Sequence, residues 1–383
     1  MRIGRAWRRW SIGAVVVLAA ATAVTLPAIA DSDWYTLHYT SLKNAPAAVP
    51  DGRLPTHVRS RWSDSGLLLG NDKPATAATI VTAQHNEISG RNPATGAVRW
   101  NYRRGNTTLC DWTMDQTGNQ PTAIAVFRNG SSCSDITGFD ADTGKRRWYL
   151  NADLPGDIKL LDGGGMYFAL SSSSVTGFYG DGGAKAWTYD KRGCTFPAGT
   201  AGDVGLVLIA SCSGRTDLVL LDGYTGKQRW DMLAPGARPH VLSADSNIVV
   251  FSDVAGQNQL AVFSADGRVA GTINDTKRFD YGTLPISPPT VVGQRWIGYD
   301  GNRVFAVDLH HPKVLWSINT IGPAVVHDNH VLVPTRHGFA TYDLNGKRLS
   351  STTASSMLPS LQGIAAIGNL VIGRNDTTTV VYG

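Results

Sequence analysis

One short pattern returns along this chain and limits its fold more than any other feature. Gly138-Phe139-Asp140-Ala141-Asp142-Thr143-Gly144-Lys145-Arg146-Arg147-Trp148 recurs as Leu220-Leu221-Asp222-Gly223-Tyr224-Thr225-Gly226-Lys227-Gln228-Arg229-Trp230. It recurs again as Gly90-Arg91-Asn92-Pro93-Ala94-Thr95-Gly96-Ala97-Val98-Arg99-Trp100. Gly177 to Trp187 keeps the spacing with Tyr179 and Gly182 in place of Asp and Thr, and Ala306 to Trp316 keeps Asp308 and Trp316 but has His311-Pro312 in place of Thr-Gly. Shorter versions begin at Ser264 and Asp343. The chemistry is that of a β-hairpin. An Asp or Asn opens the turn by accepting bonds from backbone amides two or three residues on. The Gly supplies the positive φ of a short loop with a bulge. The Trp then starts the returning strand, where its large apolar area suits burial between neighbouring sheets.

Each motif follows two more strand-like runs. Gly165 to Leu170 and Ser174 to Tyr179 precede the strand of Trp187; Asn247 to Phe251 and Gln259 to Phe263 precede Val269 to Ile273. Four antiparallel strands in roughly forty residues is the size of a propeller blade, and such units must stack around an axis to bury their faces. The C-terminus supplies three strands, Gly363 to Ile367, Asn369 to Gly373 and Thr378 to Tyr382, and stops before a fourth. His57 to Ser63 reads as an orphan fourth strand carrying its own Trp62. Joining the two ends predicts an all-β, eight-bladed β-propeller over residues 56–383, with seven blades as the alternative. Closure also removes exposed sheet edges.

Residues 1–30 stand apart. Arg2, Arg5, Arg8 and Arg9 precede an uncharged apolar run from Ile12 to Ala30. A basic flank and an apolar stretch mark an export segment, either an uncleaved transmembrane anchor or a signal peptide cut after Ala28-Ile29-Ala30. We take the anchor as the first expectation and secretion after cleavage as the second. Removing those four charges from a net +5 leaves the body at +1. A near-neutral body gives no electrostatic basis for binding nucleic acid. Residues 31–55, with Lys43 to Pro50 at their centre, read as a flexible tether.

Cys110, Cys133, Cys194 and Cys212 all lie in the exported part, where disulfides persist. Four cysteines allow three connectivities. The blade reading places Cys110 and Cys194 at the start of a first strand, and Cys133 and Cys212 near the turn between second and third strands. It therefore selects Cys110–Cys133 and Cys194–Cys212.

The pattern Ala/Gly-x-Asp-x-x-Thr-Gly-x-x-x-Trp resembles the repeat of the pyrroloquinoline-quinone-like propellers, a family of quinoprotein alcohol dehydrogenases and the BamB-type lipoprotein that assists outer-membrane protein assembly. The leader and the local cysteine pairs resemble those of exported actinobacterial members. The resemblance implies the fold strongly and the function weakly. Its dehydrogenases stack the quinone on a ring formed by two adjacent cysteines and use an Asp base beside calcium. This sequence has no adjacent cysteine pair, so no catalytic residue, cofactor or metal is assigned. His310-His311, His327, His330 and His337 read as turn residues rather than a metal cluster. Asp140, Asp142 and Asp222 belong to the repeated turn rather than to acid–base chemistry. Basic residues on the fourth strands, among them Arg59, Arg61, Arg99, Arg103, Arg104, Arg146, Arg147, Lys347 and Arg348, read as edge protection. They are read only secondarily as a rim for anionic lipid.

These readings lead to a non-enzymatic, monomeric scaffold of the cell envelope that binds envelope proteins and meets the membrane through its N-terminus. The candidate contact segments are the longer connections, Trp112 to Gln120 and Asn274 to Pro289, the latter carrying Arg278, Phe279, Tyr281 and Leu284. The alternatives are a quinone-dependent dehydrogenase and a propeller that binds cell-wall carbohydrate or a small molecule.

Overall fold

The computed structural model describes residues 36–49, 52–65, 68–69, 75–116, 120–275, 290–375 and 377–383. The expected export segment lies outside the described residues. The strands group into eight sheets, each with a four-stranded antiparallel blade. Blade 1 comprises Leu68–Leu69, Ile80–Gln84, Glu87–Arg91 and Val98–Arg104. Blade 2 comprises Leu109–Asp115, Thr122–Asn129, Ser132–Asp140 and Arg146–Asn151. Blade 4 comprises Cys194–Gly202, Gly205–Cys212, Arg215–Leu221 and Gln228–Leu233. Blades 3, 5, 6 and 7 occupy residues 159–189, 237–275, 290–319 and 325–354. First strands of neighbouring blades touch one another, so the first strand of each blade is innermost. The protein is an eight-bladed β-propeller.

Alternation along the middle strands explains why the blades must stack. In Gly205–Cys212, Leu206, Leu208 and Ala210 enter the cluster shared with blade 3, while Val207 and Ile209 enter the cluster shared with blade 5. In Thr122–Asn129, Ala123, Ala125 and Phe127 face blade 1, and Ile124 and Val126 face blade 3. Successive side chains of a strand point to opposite faces, and here both faces are buried. The near-continuous apolar runs of the sequence are therefore two interleaved half-cores.

Blade 8 closes the ring from both termini. Gly363–Ile367, Leu370–Arg374 and Thr378–Tyr382 are completed by Ser60–Ser65, with Ser63 opposite Val380. The backbones of Arg59 and Gly383 also bond to each other. The orphan strand differs from expectation at its start. His57–Val58 pairs in parallel with Thr353 and Ala354 on the outer edge of blade 7, because Val58 is drawn into the apolar cluster between blades 7 and 8.

The tether reading is also corrected over its described part. Leu37–Thr40 adds an outer strand to blade 1, pairing Leu37 with Arg104 and Thr40 with Asn101. Beyond it, Leu42 N–H donates to Thr143 O and Val49 N–H to Ala77 O. The Tyr39 hydroxyl donates to Gly144 O and accepts from Arg146 N–H. A composition rich in Ala and Pro suggested a free linker, but two hydroxyl and apolar side chains, Tyr39 and Leu37, give it a place to dock. The N-terminal segment thus clasps blades 7, 8, 1 and 2, across the seam.

A repeated Trp fastens six of the eight blades to the next. Trp100 of blade 1 donates from its indole N–H to Ala141 O in the turn of blade 2. Trp62, Trp187, Trp230 and Trp316 do the same to Pro93, Gly223, Ala265 and Leu344 of the following blades. Trp148 lies over Gly183 in the same way, although its buried N–H has no acceptor among the described residues. The turn glycine is required twice over. Gly144 has φ +70°, and a Cβ there would stand 2.5 Å from Trp100 Cγ.

The latch is inverted between blades 5 and 6. Gly271 stands where a Trp would be, and Pro312 where the turn Gly would be. A Cβ on Gly271 would lie 3.0 Å from the Pro312 ring. The bulk has changed sides.

Two predictions follow from this packing. Gly144→Ala should destabilise the protein by about 2–4 kcal/mol in urea unfolding, since it combines a forbidden φ with overpacking. Gly271→Trp and Pro312→Gly should each destabilise when made alone, while the double variant recovers at least about 1 kcal/mol relative to additivity. Simple additivity in that cycle would show that the two positions do not exchange bulk.

Candidate functional site: the disulfide-bearing loop face

The strand order creates two loop faces. Turns between first and second strands and between third and fourth strands share one, which carries the Trp latches. Turns between second and third strands and the connections between blades share the other. Both disulfides, Cys110–Cys133 and Cys194–Cys212, lie on this second face, as the sequence predicted. Asp275 and Thr290, which bracket the candidate contact segment, end and begin strands at the same face.

The two cysteine-bearing blades share a further device that sequence reading missed. Asp135 and Asp217 each precede the turn aspartate of their blade by five residues, and both are buried. Asp135 receives Arg104 Nη1 at 2.7 Å, Asn151 Nδ2 at 2.7 Å and the Tyr149 hydroxyl at 3.0 Å. Asp217 receives Lys191 Nζ at 3.0 Å and Arg215 Nε at 3.1 Å, and Lys191 also reaches Asp231 at 2.5 Å. Arg104 and Lys191 both stand four residues after the Trp of the preceding blade. Burial opposes the Lys191 charge, but its bonds to Asp231 and Asp217 hold its pKa above the usual lysine value. Breaking such a buried pair by removing one partner is costly, because it strands the other charge. These pairs fix the loop ends of blades 2 and 4 against their predecessors. The signal was present in the sequence as a repeated Asp, hidden by the stronger Asp-x-x-Thr-Gly beside it.

The other singled-out residues sort by their contacts. Trp112 is 4 % exposed and packed between blades 1 and 2 with Met114 and Phe127, so it offers no contact surface. It lies on a first strand rather than in the loop that follows, which corrects its reading as a partner contact. Arg278, Phe279, Tyr281 and Leu284 lie outside the described residues. Asp140 and Asp222 are turn clamps: Thr143 and Thr225 each donate a backbone N–H and a hydroxyl to Oδ1, while Arg147 and Arg229 bind Oδ2. Asp308 accepts the backbone N–H groups of His310 and His311. Several basic edge residues are used internally, Arg99 on Ala78 O, Arg61 on Gly383 O and Arg147 on Gln120 O.

Among the described residues, no group of three or more His, Cys, Asp or Glu is arranged to hold a metal ion. The quinone-stacking ring of the dehydrogenases has no counterpart, since all four cysteines form bridges between residues far apart in sequence. The residues present do not fit that cofactor as the resemblance describes its binding.

The fold and its Trp-latched turns define a pyrroloquinoline-quinone-like propeller. The sequence profile described as "Outer membrane protein assembly factor BamB" matches residues 134–381, and the chain belongs to that family. Its structure is similar to BamB from Moraxella catarrhalis, with 17 % identity, TM-score 0.52, and coverage of 85 % of this chain and 99 % of that one. It is also similar to a europium-containing methanol dehydrogenase, with 12 % identity, TM-score 0.53, and coverage of 85 % and 93 %. The computationally designed Ika8 protein gives 13 % identity, TM-score 0.54, and coverage of 86 % and 99 %. At these identities the likeness is one of fold. No curated protein matches the sequence.

The turn clamps give a pH prediction. The Arg229 guanidinium, with help from Thr225, holds Asp222 down to about 2. An unfolded Asp titrates near 3.9. The clamp therefore contributes stability above about pH 4 and loses it as pH falls towards 2. Asp222→Asn should narrow the difference between stability at pH 5 and at pH 2.5, read as the change in urea midpoint at each pH.

Proposed function

We propose that the chain is a non-enzymatic scaffold of the cell envelope that recruits partner proteins on its disulfide-bearing loop face. The observation that carries this reading is that, among the described residues, the turn aspartates, the two buried strand aspartates and the four cysteines are committed to architecture. Asp140 and Asp222 are held on both oxygens within their own turns, Asp308 accepts two backbone amides of its turn on one oxygen, Asp135 and Asp217 bind a cation that follows the preceding blade, and the cysteines pair with each other. A rigid ring with braced loop ends suits recognition, because little ordering is left to oppose binding. Membership of the BamB-type family supports a role in protein assembly at the envelope. The two disulfides support a location outside the cytoplasm. Anchorage by the N-terminal apolar run and a monomeric state complete the proposal.

A thermal-shift titration with pyrroloquinoline quinone, with and without calcium, separates this reading from a quinoprotein. A specific ligand at a hundredfold excess over its Kd stabilises the folded state by about 2.7 kcal/mol. We expect no saturable shift. A calcium-dependent, saturable rise in Tm would overturn the scaffold reading. Photo-crosslinking residues placed at Asp190 and Asp153, on the loop face, should capture the same envelope protein in cells. Equal capture from Asp181 and Asp203, on the latch face, would contradict the choice of face.

A further inference from the structure

The two disulfides sit on one face but differ in what they join. Cys110 lies on the first strand of blade 2 and Cys133 on the third, so their bond spans the intervening strand, with Cα atoms 6.1 Å apart. Cys133 is fully enclosed, in a cluster with Leu154, Ile158 and Leu160 that joins blades 2 and 3. Its backbone N–H donates to Leu154 O in the connection between those blades. This bridge is the direct link between two strands that share no ladder with each other, each being paired with the strand between them.

Cys194 and Cys212 are instead direct neighbours across one antiparallel ladder, with Cα atoms 4.2 Å apart. Cys194 N–H donates back to Lys191 O, so this is a non-hydrogen-bonded pair at the ladder's end, where opposite Cα atoms approach most closely. The two strands remain held by the pairs from Thr195 with Ser211 to Gly202 with Gly205 whether or not the sulfurs are joined. Cys194 is half-buried, and Arg215, largely exposed, is the cross-strand partner of Cys212 on its other side. Lys191 stands three residues before Cys194. Cys110 is also half-buried and Cys133 also faces an arginine, Arg128, across its strand pair, so what sets the blade 4 bridge apart is its place across a ladder that holds without it, where a thiolate can attack without unpairing strands.

We propose that Cys194–Cys212 is a site of reversible thiol–disulfide exchange with a dithiol partner of the extracytoplasmic space, and that Cys110–Cys133 is a permanent staple. The partner's thiolate attacks Cys194 Sγ, the bond to Cys212 breaks, and Cys212 leaves as a thiolate. The partner's second thiolate then attacks the mixed disulfide and releases Cys194. The partner ends as a disulfide, having given two electrons, and the two cysteines take up protons from water. The change frees two thiols at the Cys194 end of the blade 4 ladder, on the proposed recruiting face, while the blade stays folded. Its biological setting rests on the extracytoplasmic reading, but the order of reduction is a property of the purified chain and is measured without it.

The test is a dithiothreitol titration of the purified full chain, quenched with N-ethylmaleimide and read by peptide mass mapping. Cys194 and Cys212 should become labelled at a reductant concentration at least about tenfold below that for Cys110 and Cys133, with the far-ultraviolet circular dichroism unchanged. The double substitution Cys194→Ser with Cys212→Ser should still fold. Simultaneous labelling of all four cysteines, earlier labelling of Cys110 and Cys133, or labelling that coincides with loss of β-sheet signal would overturn the proposal. Cell fractionation separately tests export, so a failure of that reading is distinguishable from a failure of this one.

Discussion

Burial of both faces of every blade is the constraint on which the rest of this structure depends. The odd and even residues of Gly205–Cys212 feed two different apolar clusters, and the same holds for the corresponding strands of blades 2 and 5. A sheet with two apolar faces needs a neighbour on each side, and a row of such sheets is satisfied at its ends only by closing. Ile80 of blade 1 accordingly shares a cluster with Leu370, Ile372 and Val381 of blade 8. Ring closure is therefore a requirement of the side-chain pattern. The N-terminal segment meets it by supplying the fourth strand of the last blade and clasping the blades beside it.

Directional contacts convert that apolar demand into a defined ring. An indole on a fourth strand covers the positive-φ glycine of the next turn and donates to a carbonyl there. Neither a bulky turn residue nor a smaller latch residue would fill the same space. The Gly271 and Pro312 pair keeps the volume while reversing its source, which indicates that the packing constraint is on the pair. Where blade 7 has Ser350 at the Trp position, the adjoining turn is interrupted by the chain ends, and His57–Val58 reinforces the outer edge of that blade instead.

Much of this fold was legible because the repeat states it locally. Asp140, Thr143, Gly144 and Trp148 each encode one part of a turn or latch, and the three C-terminal strands advertise their missing partner in Trp62. The disulfide pairing was legible for the same reason, since blade positions bring the cysteines together. The docked course of residues 37–49 was not legible, because a short strand without an alternating apolar pattern takes its partners from distant edges. Trp112 misled for a physical reason: an aromatic near a long loop suggests exposure, but it falls on the first strand, where it packs between blades. The buried Asp135 and Asp217 were hidden because a carboxylate in a strand declares itself only when its cation arrives from the preceding blade.

The same economy bears on function. Among the described residues, Asp140 and Asp222 are tied into turns, Asp135 and Asp217 into blade junctions, and the four cysteines into bridges that brace one loop face. The most direct measurement of the closure account is native-state hydrogen exchange on the full chain and on a chain that starts after Ser65. The account predicts that amides of Leu370–Arg374 and Thr378–Tyr382 lose protection in the shortened chain by a far larger factor than those of Gly205–Cys212. Undiminished protection in blade 8 without its N-terminal strand would contradict it.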